Sequence, residues 1–454
     1  MHLSRFILLF ALITIALLSC DEDESFNSDP DFRLSFSTDT VTFDTLFTGF
    51  GSTTKQLKIY NQSGGRINIS RMFLDDLNSP YRMNINGIQS NDLRDVEIAA
   101  NDSLYVFIEV DLEAKDEDAP RLLENQLAFE TNGQLQKVIL ETYAQDVYVI
   151  DGDIQNSQNW TGNRPYLIMK PVWLSEGTTL NLEEGTRVYF RKDAGLHIKG
   201  ELNVNGSFEK PVYFGSTRLE KLYDNVPGQW DGIYFYEEST NNSLSHFILE
   251  DGVNGLIFDK ETYDNSLIKI DYGIIRNFTQ NGISVSNSNL IAHDILLSNC
   301  GEECINLEGQ GSFAIYHSTL YNTWFFSPRS GSVINYAGDE DSGLQVVNCI
   351  IWGSKTDELE LIKTDNVMVE NSLIKLSNSK QGDYASVFAD CIFNEDPLFA
   401  DLEEFDFILS AESPAINKGN KDVGNQYFMD LSGNPRNIDE APDMGTYEYV
   451  SDEL

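Results

Sequence analysis

The sequence predicts an all-β protein in which an antiparallel β-sandwich precedes a parallel β-solenoid. Residues 32–146 contain short runs in which apolar and polar residues alternate, with Gly, Asn and Asp between the runs and no helical period. Residues 147–450 contain short apolar segments that recur at a period in the low twenties. Hydrophobic residues make up 41% of the chain and aromatic residues 11%, which is too much for a disordered acidic chain.

Residues 1–20 have the features of a secretory signal, with Arg5 ahead of an apolar run over residues 6–18. The run is too short for a membrane span, which needs roughly 20 apolar residues. It ends in Leu17-Leu-Ser-Cys20, which resembles the lipobox of bacterial lipoproteins, and this resemblance implies that Cys20 carries lipid. The alternative is an ordinary signal peptide followed by an unrelated cysteine.

Residues 21–31 form a polar, acidic tether that begins with Asp21-Glu-Asp-Glu24. An acidic run directly after the lipidated cysteine resembles the surface-export signal of Bacteroidota-type lipoproteins. The resemblance implies a protein anchored by lipid in the outer membrane and exposed at the cell surface. The alternative is a solvated linker whose charges indicate only disorder.

Residues 32–146 contain predicted strands at 56–61, 104–110 and 137–142. The turn residues between them, such as Thr131-Asn-Gly133, follow an order that resembles immunoglobulin-like modules of bacterial surface proteins. That resemblance implies a β-sandwich which acts as a spacer or an adhesive unit.

A repeat is visible in residues 147–450 when short apolar segments are aligned. Each coil of a solenoid buries its inward face only against its neighbours, so a regular apolar position predicts stacked coils. The predicted anchors lie 25, 22, 23, 32 and 22 residues apart, and they are Ser245, Ile270, Ala292, Ile315, Val347 and Val369. A second apolar position follows five residues later, at Ile275, Leu297, Leu320, Trp352 and Ile374.

Three asparagines, Asn277, Asn299 and Asn322, fall at the same point of successive coils. Asparagine tolerates the left-handed backbone conformation that a tight turn requires. Stacked amides can also hydrogen-bond along the axis. The sequence therefore predicts an asparagine ladder at a corner of the solenoid.

Several segments resemble right-handed parallel β-helix proteins. Residues 180–190, 195–206 and 211–216 resemble the first coils of that family, and Gly228-Gln-Trp-Asp-Gly-Ile233 resembles a tryptophan turn that follows them. Residues 396–399, 413–419, 433–436 and 443–448 resemble the terminal coil and cap. The resemblance implies a right-handed, single-stranded parallel β-helix over residues 147–450 with a C-terminal cap. The family includes polysaccharide lyases and glycoside hydrolases.

The charge balance excludes several kinds of partner. Basic residues number 31 and acidic residues 72, so the formal net charge is −41. Phosphate contacts need clustered Lys and Arg, so no nucleic-acid partner is expected, and binding to anionic lipid heads is disfavoured. An anionic polysaccharide needs a bridging cation, and neutral glycans or proteins are favoured.

Four cysteines, at positions 300, 304, 349 and 391, remain after Cys20 and are too few for a disulfide framework. Cys300 and Cys304 either form a local disulfide bridge or are free, buried thiols, and the sequence does not decide between the two. A zinc site that combines them with His293 and His317 lacks the usual ligand spacing.

The positions after the anchors give the first candidate site: His246, Asp271, His293, Tyr316, Asn348 and Glu370. Neighbouring coils lie about 4.8 Å apart, so Asp271 and His293 are expected to lie side by side. An acid beside an imidazole can transfer protons, which makes these two the catalytic candidates, with Tyr316 a ligand-binding candidate. The alternative is a polar surface stripe.

The long 32-residue interval gives the second candidate site. Insertions in solenoids gather on one face and often line the binding face. The ligand-binding candidates are Trp324, Phe325, Phe326 and Arg329, and the metal candidates are Asp339, Glu340 and Asp341. The acidic triplet lacks the alternating spacing of an EF-hand loop, so Ca²⁺ is a possible ligand and no cofactor is certain. The alternative is a solvated loop.

The sequence thus favours a lipid-anchored surface protein whose β-helix binds an extracellular glycan or a surface partner without chemistry. One alternative is a polysaccharide lyase or glycoside hydrolase that acts along the helix face. A second alternative is a structural or adhesive surface protein. Fold alone does not decide between them.

Overall fold

The computed structural model describes residues 25–450. The chain divides into two compact units, one that ends at Asp146 and one that begins at Val147. The predicted signal peptide, the predicted lipidation site Cys20 and the first four residues of the predicted tether lie outside the described residues. No helix within residues 25–450 is long and apolar enough to cross a membrane.

The first unit is a sandwich of two five-stranded sheets, which follow the orders β1-β3-β8-β5-β6 and β2-β10-β9-β4-β7. Every pairing is antiparallel except that of β2 with β10, which is parallel. The strands are β1 (Ser35–Phe36), β2 (Thr40–Phe47), β3 (Lys55–Tyr60), β4 (Ile67–Leu74), β5 (Tyr81–Ile85), β6 (Ile88–Gln89), β7 (Asp92–Ile98), β8 (Ser103–Val110), β9 (Arg121–Thr131) and β10 (Gln134–Gln145).

Alternating burial builds the sandwich core. In β8, every second residue from Leu104 to Val110 is buried and the residues between them face solvent, which is the period of a strand covered on one side. The described part of the tether also contacts this unit, since the Asn27 N–H donates to the Arg66 carbonyl at 2.8 Å and Asn132 Nδ2 donates to the Asn27 carbonyl at 2.9 Å.

The second unit, called here the β-helix, has three faces, and each face is a stack of parallel strands. The first face contains β12 (Gln158–Trp160), β15 (Thr179–Leu182), β18 (Glu201–Asn205), the first halves of β21 (Ser243–Glu250) and β23 (Leu267–Phe278), β25 (Asn289–His293), β28 (Ser312–Tyr316), β31 (Gly343–Val347), β34 (Val367–Glu370) and β36 (Phe388–Ala389). The second face contains β11 (Tyr148–Ile150), β13 (Tyr166–Ile168), β16 (Arg187–Phe190), β19 (Val212–Ser216), the second halves of β21 and β23, β26 (Leu296–Cys300), β29 (Thr319–Asn322), β32 (Ile350–Gly353), β35 (Leu373–Ile374) and β37 (Ile392–Phe393).

The third face contains β14 (Val172–Leu174), β17 (Leu196–Ile198), β20 (Ile233–Phe235), β22 (Leu256–Asp259), β24 (Ile283–Ser286), β27 (Ile305–Gly309), β30 (Ile334–Gly338) and β33 (Leu359–Leu361). The remaining elements are a hairpin of β38 (Phe399–Asp401) and β39 (Asp406–Leu409), helices α1 (Asn378–Asp383) and α2 (Lys421–Gln426), and a 3₁₀ turn at Lys221–Tyr223. The predicted fold class, an immunoglobulin-like sandwich followed by a right-handed parallel β-helix, is confirmed.

The inward side chains of successive coils form one continuous apolar core. The residues that pair in register on the first face are Leu244, Ile270, Ala292, Ile315, Val346 and Val369. Four predicted anchors are confirmed, whereas Ser245 and Val347 are wrong by one residue, and Ile351 takes the inward place predicted for Trp352. A slip of one residue exchanges the inward and outward sides of a strand, so the outward column changes as well.

From β21 onward, each coil turns from the first face to the second through one residue with a positive φ. These first-corner residues are His246, Tyr272, Asp294, His317, Asn348, Asn371 and Asp390, with φ between 43° and 58°. Positive φ is uncommon outside glycine, and Asn, Asp and His adopt it more often than the other residues do. His246 and Asn348, which were predicted to lie in the outward column, therefore occupy the corner.

The asparagine ladder lies at the end of the second face. Asn277 and Asn299 have φ values of 62° and 58°, and Asn299 Nδ2 donates to Asn277 Oδ1 at 2.7 Å. The ladder continues to Asp251, whose Oδ1 accepts from Asn277 Nδ2 at 3.0 Å. Asn322 instead bonds the backbone of Cys300 in both directions. The predicted ladder is confirmed for two of its three members.

Replacing Asn299 by alanine should lower the free energy of unfolding of the β-helix by about 2–3 kcal/mol. Alanine loses the ladder bond and adopts the left-handed conformation at a cost of about 1–2 kcal/mol. Asn299→Gly should cost less, because glycine adopts this conformation without strain. Urea unfolding of both variants measures the difference. Equal losses of unfolding free energy would show that the left-handed backbone conformation at residue 299 does not contribute to the cost of the alanine variant.

The C-terminal cap, residues 395–450, is attached to the first corner by a buried arginine. Arg436 is fully buried, its Nη2 donates to Asp294 Oδ1 at 2.5 Å and its Nη1 donates to Glu448 Oε1 at 2.6 Å. Arg436 Nε also donates to Asp294 Oδ1 at 3.2 Å, and the Thr446 carbonyl accepts a fourth bond, from Nη2, at 3.0 Å. A buried charge needs this many partners because it has lost its hydration.

Arg436→Met should lower the free energy of unfolding by about 3–5 kcal/mol, because it leaves buried carboxylates without a cation. Lys199→Met is the control, since the Lys199–Glu238 pair is solvent-exposed and exposed pairs contribute little. Urea unfolding followed by tryptophan fluorescence measures both. A loss no larger than that of the control would contradict the role assigned to Arg436.

Candidate functional site

The predicted column forms along the first face, with two corrections. Asp271 pairs with His293 between β23 and β25, and His293 pairs with Tyr316 between β25 and β28. The predicted adjacency of Asp271 and His293 is therefore confirmed. Ser245 and Val347 take the places predicted for His246 and Asn348, because the anchors before them were shifted by one residue.

Asp271 is bonded within the column. Its Oδ1 accepts a short hydrogen bond from the Ser245 hydroxyl, and the same hydroxyl oxygen lies 2.8 Å from His246 Nδ1. A hydroxyl has one proton to donate, so His246 Nδ1 carries the proton of the second bond. Burial lowers the pKa of His246 below its ordinary value, which favours the neutral ring.

His293 is also held by its neighbours. Its Nδ1 lies 2.8 Å from Asp294 Oδ2, and Asp294 is the buried partner of Arg436. Tyr427 of the cap stacks on the His293 ring at 4.2 Å and on the Tyr316 ring at 5.1 Å. The column is thus in contact with the cap, a geometry that favours the polar-stripe alternative. Catalysis by Asp271 and His293 stays a prediction.

The insertion loop, residues 323–333 between β29 and β30, buries two of its predicted ligand-binding residues. Trp324 is 8% exposed and its Nε1 donates to Ser327 Oγ at 3.0 Å. The Arg329 side chain is 2% exposed, and its Nη2 donates to both carboxylate oxygens of Glu358 at 2.5 and 2.7 Å. The expectation that Trp324 and Arg329 contact a ligand is corrected, because both face the protein interior.

The other two residues of the prediction face solvent. Phe325 is 74% exposed and Phe326 is 46% exposed, and their rings stack with centroids 4.3 Å apart. Trp324 and Arg329 fix the loop on both sides of this pair. The loop therefore presents two adjacent rings in a fixed position.

A polar groove lies against the same loop and has a volume of about 570 Å³. The loop contributes one wall, and Lys355 Nζ donates to the Ser330 carbonyl at 2.7 Å across it. Burial raises the pKa of Glu303 above its ordinary value. The lining side chains are mostly hydroxyl, amide or charged groups: Glu303, Ser330, Ser332, Asn335, Ser354, Lys355, Thr356, Asp357, Glu360 and Lys380.

The acidic triplet Asp339, Glu340 and Asp341 is exposed in the turn after β30. No group of three or more His, Cys, Asp or Glu residues within residues 25–450 has the arrangement of a metal site. Cys300 and Cys304 are free, buried thiols. The structure does not bring together the side chains that the Ca²⁺ expectation requires.

Two features escaped the sequence analysis. The groove residues come from separate coils, so only the true register shows that Glu303, Asn335 and Glu360 lie near one another. On the third face, Trp173 and His197 stack at 4.6 Å.

Comparison of the chain with family models and with curated proteins finds no match. Among solved structures, pectate lyase Pel9A is similar over 68% of this chain and 88% of its own, with 13% identity and a TM-score of 0.33. PapD-like domain 7 of human CEP192 is similar over 28% of this chain and 96% of its own, with 10% identity and a TM-score of 0.20.

A family 123 glycoside hydrolase from Clostridium perfringens is similar over 26% of this chain and 30% of its own, with 8% identity and a TM-score of 0.18. This chain thus matches less than a third of that enzyme's length. At these TM-scores the similarities carry no argument about activity, and the fold follows from the strand pairing described above.

Arg329→Met should increase amide hydrogen exchange in residues 323–333 relative to the rest of the β-helix. The change removes one of the two anchors of the insertion loop and leaves Glu358 buried without its cation, a state that costs about 3–5 kcal/mol. Hydrogen exchange with peptide-level mass spectrometry measures it. Unchanged exchange in this loop would show that Arg329 does not fix it.

Proposed function

We propose that this protein is a lipid-anchored cell-surface protein that binds a neutral extracellular glycan without chemistry. The binding surface is the exposed pair Phe325 and Phe326 together with the polar groove beside the insertion loop. One observation carries the proposal: a buried tryptophan and a buried ion pair hold two adjacent phenylalanine rings in solvent.

Exposed rings in a fixed position favour binding. Covering an aromatic side chain contributes about 1.5–3 kcal/mol, and a loop that is already ordered loses little conformational entropy when a ligand binds. Sugar rings present C–H groups to aromatic faces and hydroxyls to polar groups. The groove supplies hydroxyl, amide and charged partners for those hydroxyls.

The charge of the chain supports a neutral ligand. The net charge of −41 repels anionic polymers, and the two lysines of the groove already have partners, Lys355 at backbone carbonyls and Lys380 at Glu360. A neutral glycan meets no such repulsion.

The cellular location rests on the N-terminal sequence. The lipobox at residues 17–20 and the acidic run at residues 21–24 support lipid attachment at Cys20 and display at the cell surface. Metabolic labelling with a fatty-acid analogue tests it, and Cys20→Ala is the matched variant. Equal labelling of both proteins would contradict the proposed anchor.

A glycan array on a soluble protein that starts at residue 25 tests the binding proposal. The wild-type protein should bind neutral oligosaccharides, and Phe325→Ala/Phe326→Ala should weaken that binding at least tenfold because both rings are lost. Phe107→Ala is the matched control, since Phe107 is an exposed ring of the sandwich.

The same samples separate the alternatives. Equal binding by the double variant and the wild type would contradict the proposed surface. New reducing ends or unsaturated products would support the lyase or hydrolase alternative and contradict binding without chemistry. Runs with Ca²⁺ and with a chelator should agree, because the proposed surface needs no metal.

A further inference from the structure

A second cavity lies on the second face of the β-helix, far along the chain from the insertion loop. The segment 217–229, called here the covering loop, lies over strands β19, β21 and β23 and leaves a cavity of about 270 Å³. Gln229 fixes the loop, since its Nε2 donates to the carbonyls of Tyr223 and Val226 at 2.9 Å each. The cavity is therefore formed by ordered chain.

Both arginines that line the cavity already have carboxylate partners. Arg276 Nε donates to Glu250 Oε2 at 2.7 Å, and the Tyr213 hydroxyl donates to Glu250 Oε1 at 2.8 Å. Arg218 pairs with Glu220 at 3.1 Å. Carboxylates of the protein itself therefore neutralise both arginines, and no ligand is needed for that.

Two carboxylates of the lining, Asp251 and Asp224, form no ion pair with a described residue. Asp251 is 8% exposed, and only its Oδ1 is bonded, by Asn277 Nδ2 at 3.0 Å; no described residue bonds its Oδ2. Asp224 lines the same cavity from the covering loop and makes no ion pair with any described residue. A mostly buried carboxylate with an unbonded oxygen at a cavity can accept hydrogen bonds from a ligand in that cavity.

We propose that this cavity binds a small organic cation with a primary ammonium group, held by the carboxylates of Asp251 and Asp224. An ammonium group supplies three N–H donors and a positive charge for the two carboxylates that form no ion pair. The cavity volume corresponds to roughly nine water molecules at about 30 Å³ each, so a cation of five to eight heavy atoms fits.

The binding should depend on pH through Asp251. Burial raises the pKa of Asp251 to about 7, with Glu250 and Asp224 acting in the same direction and Asn277 and Arg276 opposing. The charged and titratable groups that line the cavity with it are Tyr213, Arg218, Tyr223, Asp224, Glu250 and Arg276. A cation binds the ionised carboxylate, so affinity should rise by about tenfold between pH 6 and pH 8, and binding at pH 7 should release a proton.

Titration calorimetry of the protein that starts at residue 25 tests the proposal, with n-butylamine as the probe. We expect n-butylamine to bind, and the uncharged 1-butanol and the anionic butyrate not to bind. Measurements at pH 6 and pH 8, in two buffers of different ionisation enthalpy, give the affinity change and the proton release. Binding of butanol as strongly as butylamine, or an affinity independent of pH, would overturn the proposal.

Asp251→Asn keeps an acceptor for Asn277 and removes the charge, so it should abolish butylamine binding and its pH dependence. Asp259→Asn removes the same charge from an exposed position and should bind butylamine like the wild type. Retained binding by Asp251→Asn, or displacement of butylamine by equimolar CaCl₂, would refute an organic-cation site at Asp251. The Phe325→Ala/Phe326→Ala variant should bind butylamine normally, because this cavity is independent of the insertion loop.

Discussion

The register in which each coil lies on the next decides what every outward side chain of the β-helix contacts. Parallel pairing brings together residues 22 or 23 positions apart, as with Asp271, His293 and Tyr316. From β21 onward it also places a one-residue corner with positive φ at the same position of each coil. Because the period of a strand is two, an error of one residue in this register reassigns a side chain from surface to core.

Two buried arginines attach irregular chain to this regular scaffold. Arg329 joins the insertion loop to Glu358, and Arg436 joins the cap to Asp294 and Glu448. The planar guanidinium forms several directed bonds to carboxylates at once, so it fixes the direction of a loop as well as its position. The first attachment presents the phenylalanine pair, and the second brings the cap against His293.

The period, most of the core positions and two of the three asparagines of the ladder follow from the sequence because they repeat. The errors arise where neighbouring residues are alike. Ser245 and His246 are both polar, so only the backbone shows that the second occupies a corner. The burial of Arg329 depends on Glu358, 29 residues later in the next coil, and the cavity at Asp251 depends on the covering loop. The spacing of residues in the sequence alone predicts neither the burial of Arg329 nor the surroundings of Asp251.

Hydroxyl-radical footprinting of the protein with a neutral glycan selected from the array would locate the binding surface. We expect the glycan to protect Phe325 and Phe326 and the groove residues Lys355 and Glu360, while the column around His293 keeps its reactivity. Protection confined to the first-face column, with the two phenylalanines as reactive as in the free protein, would contradict it.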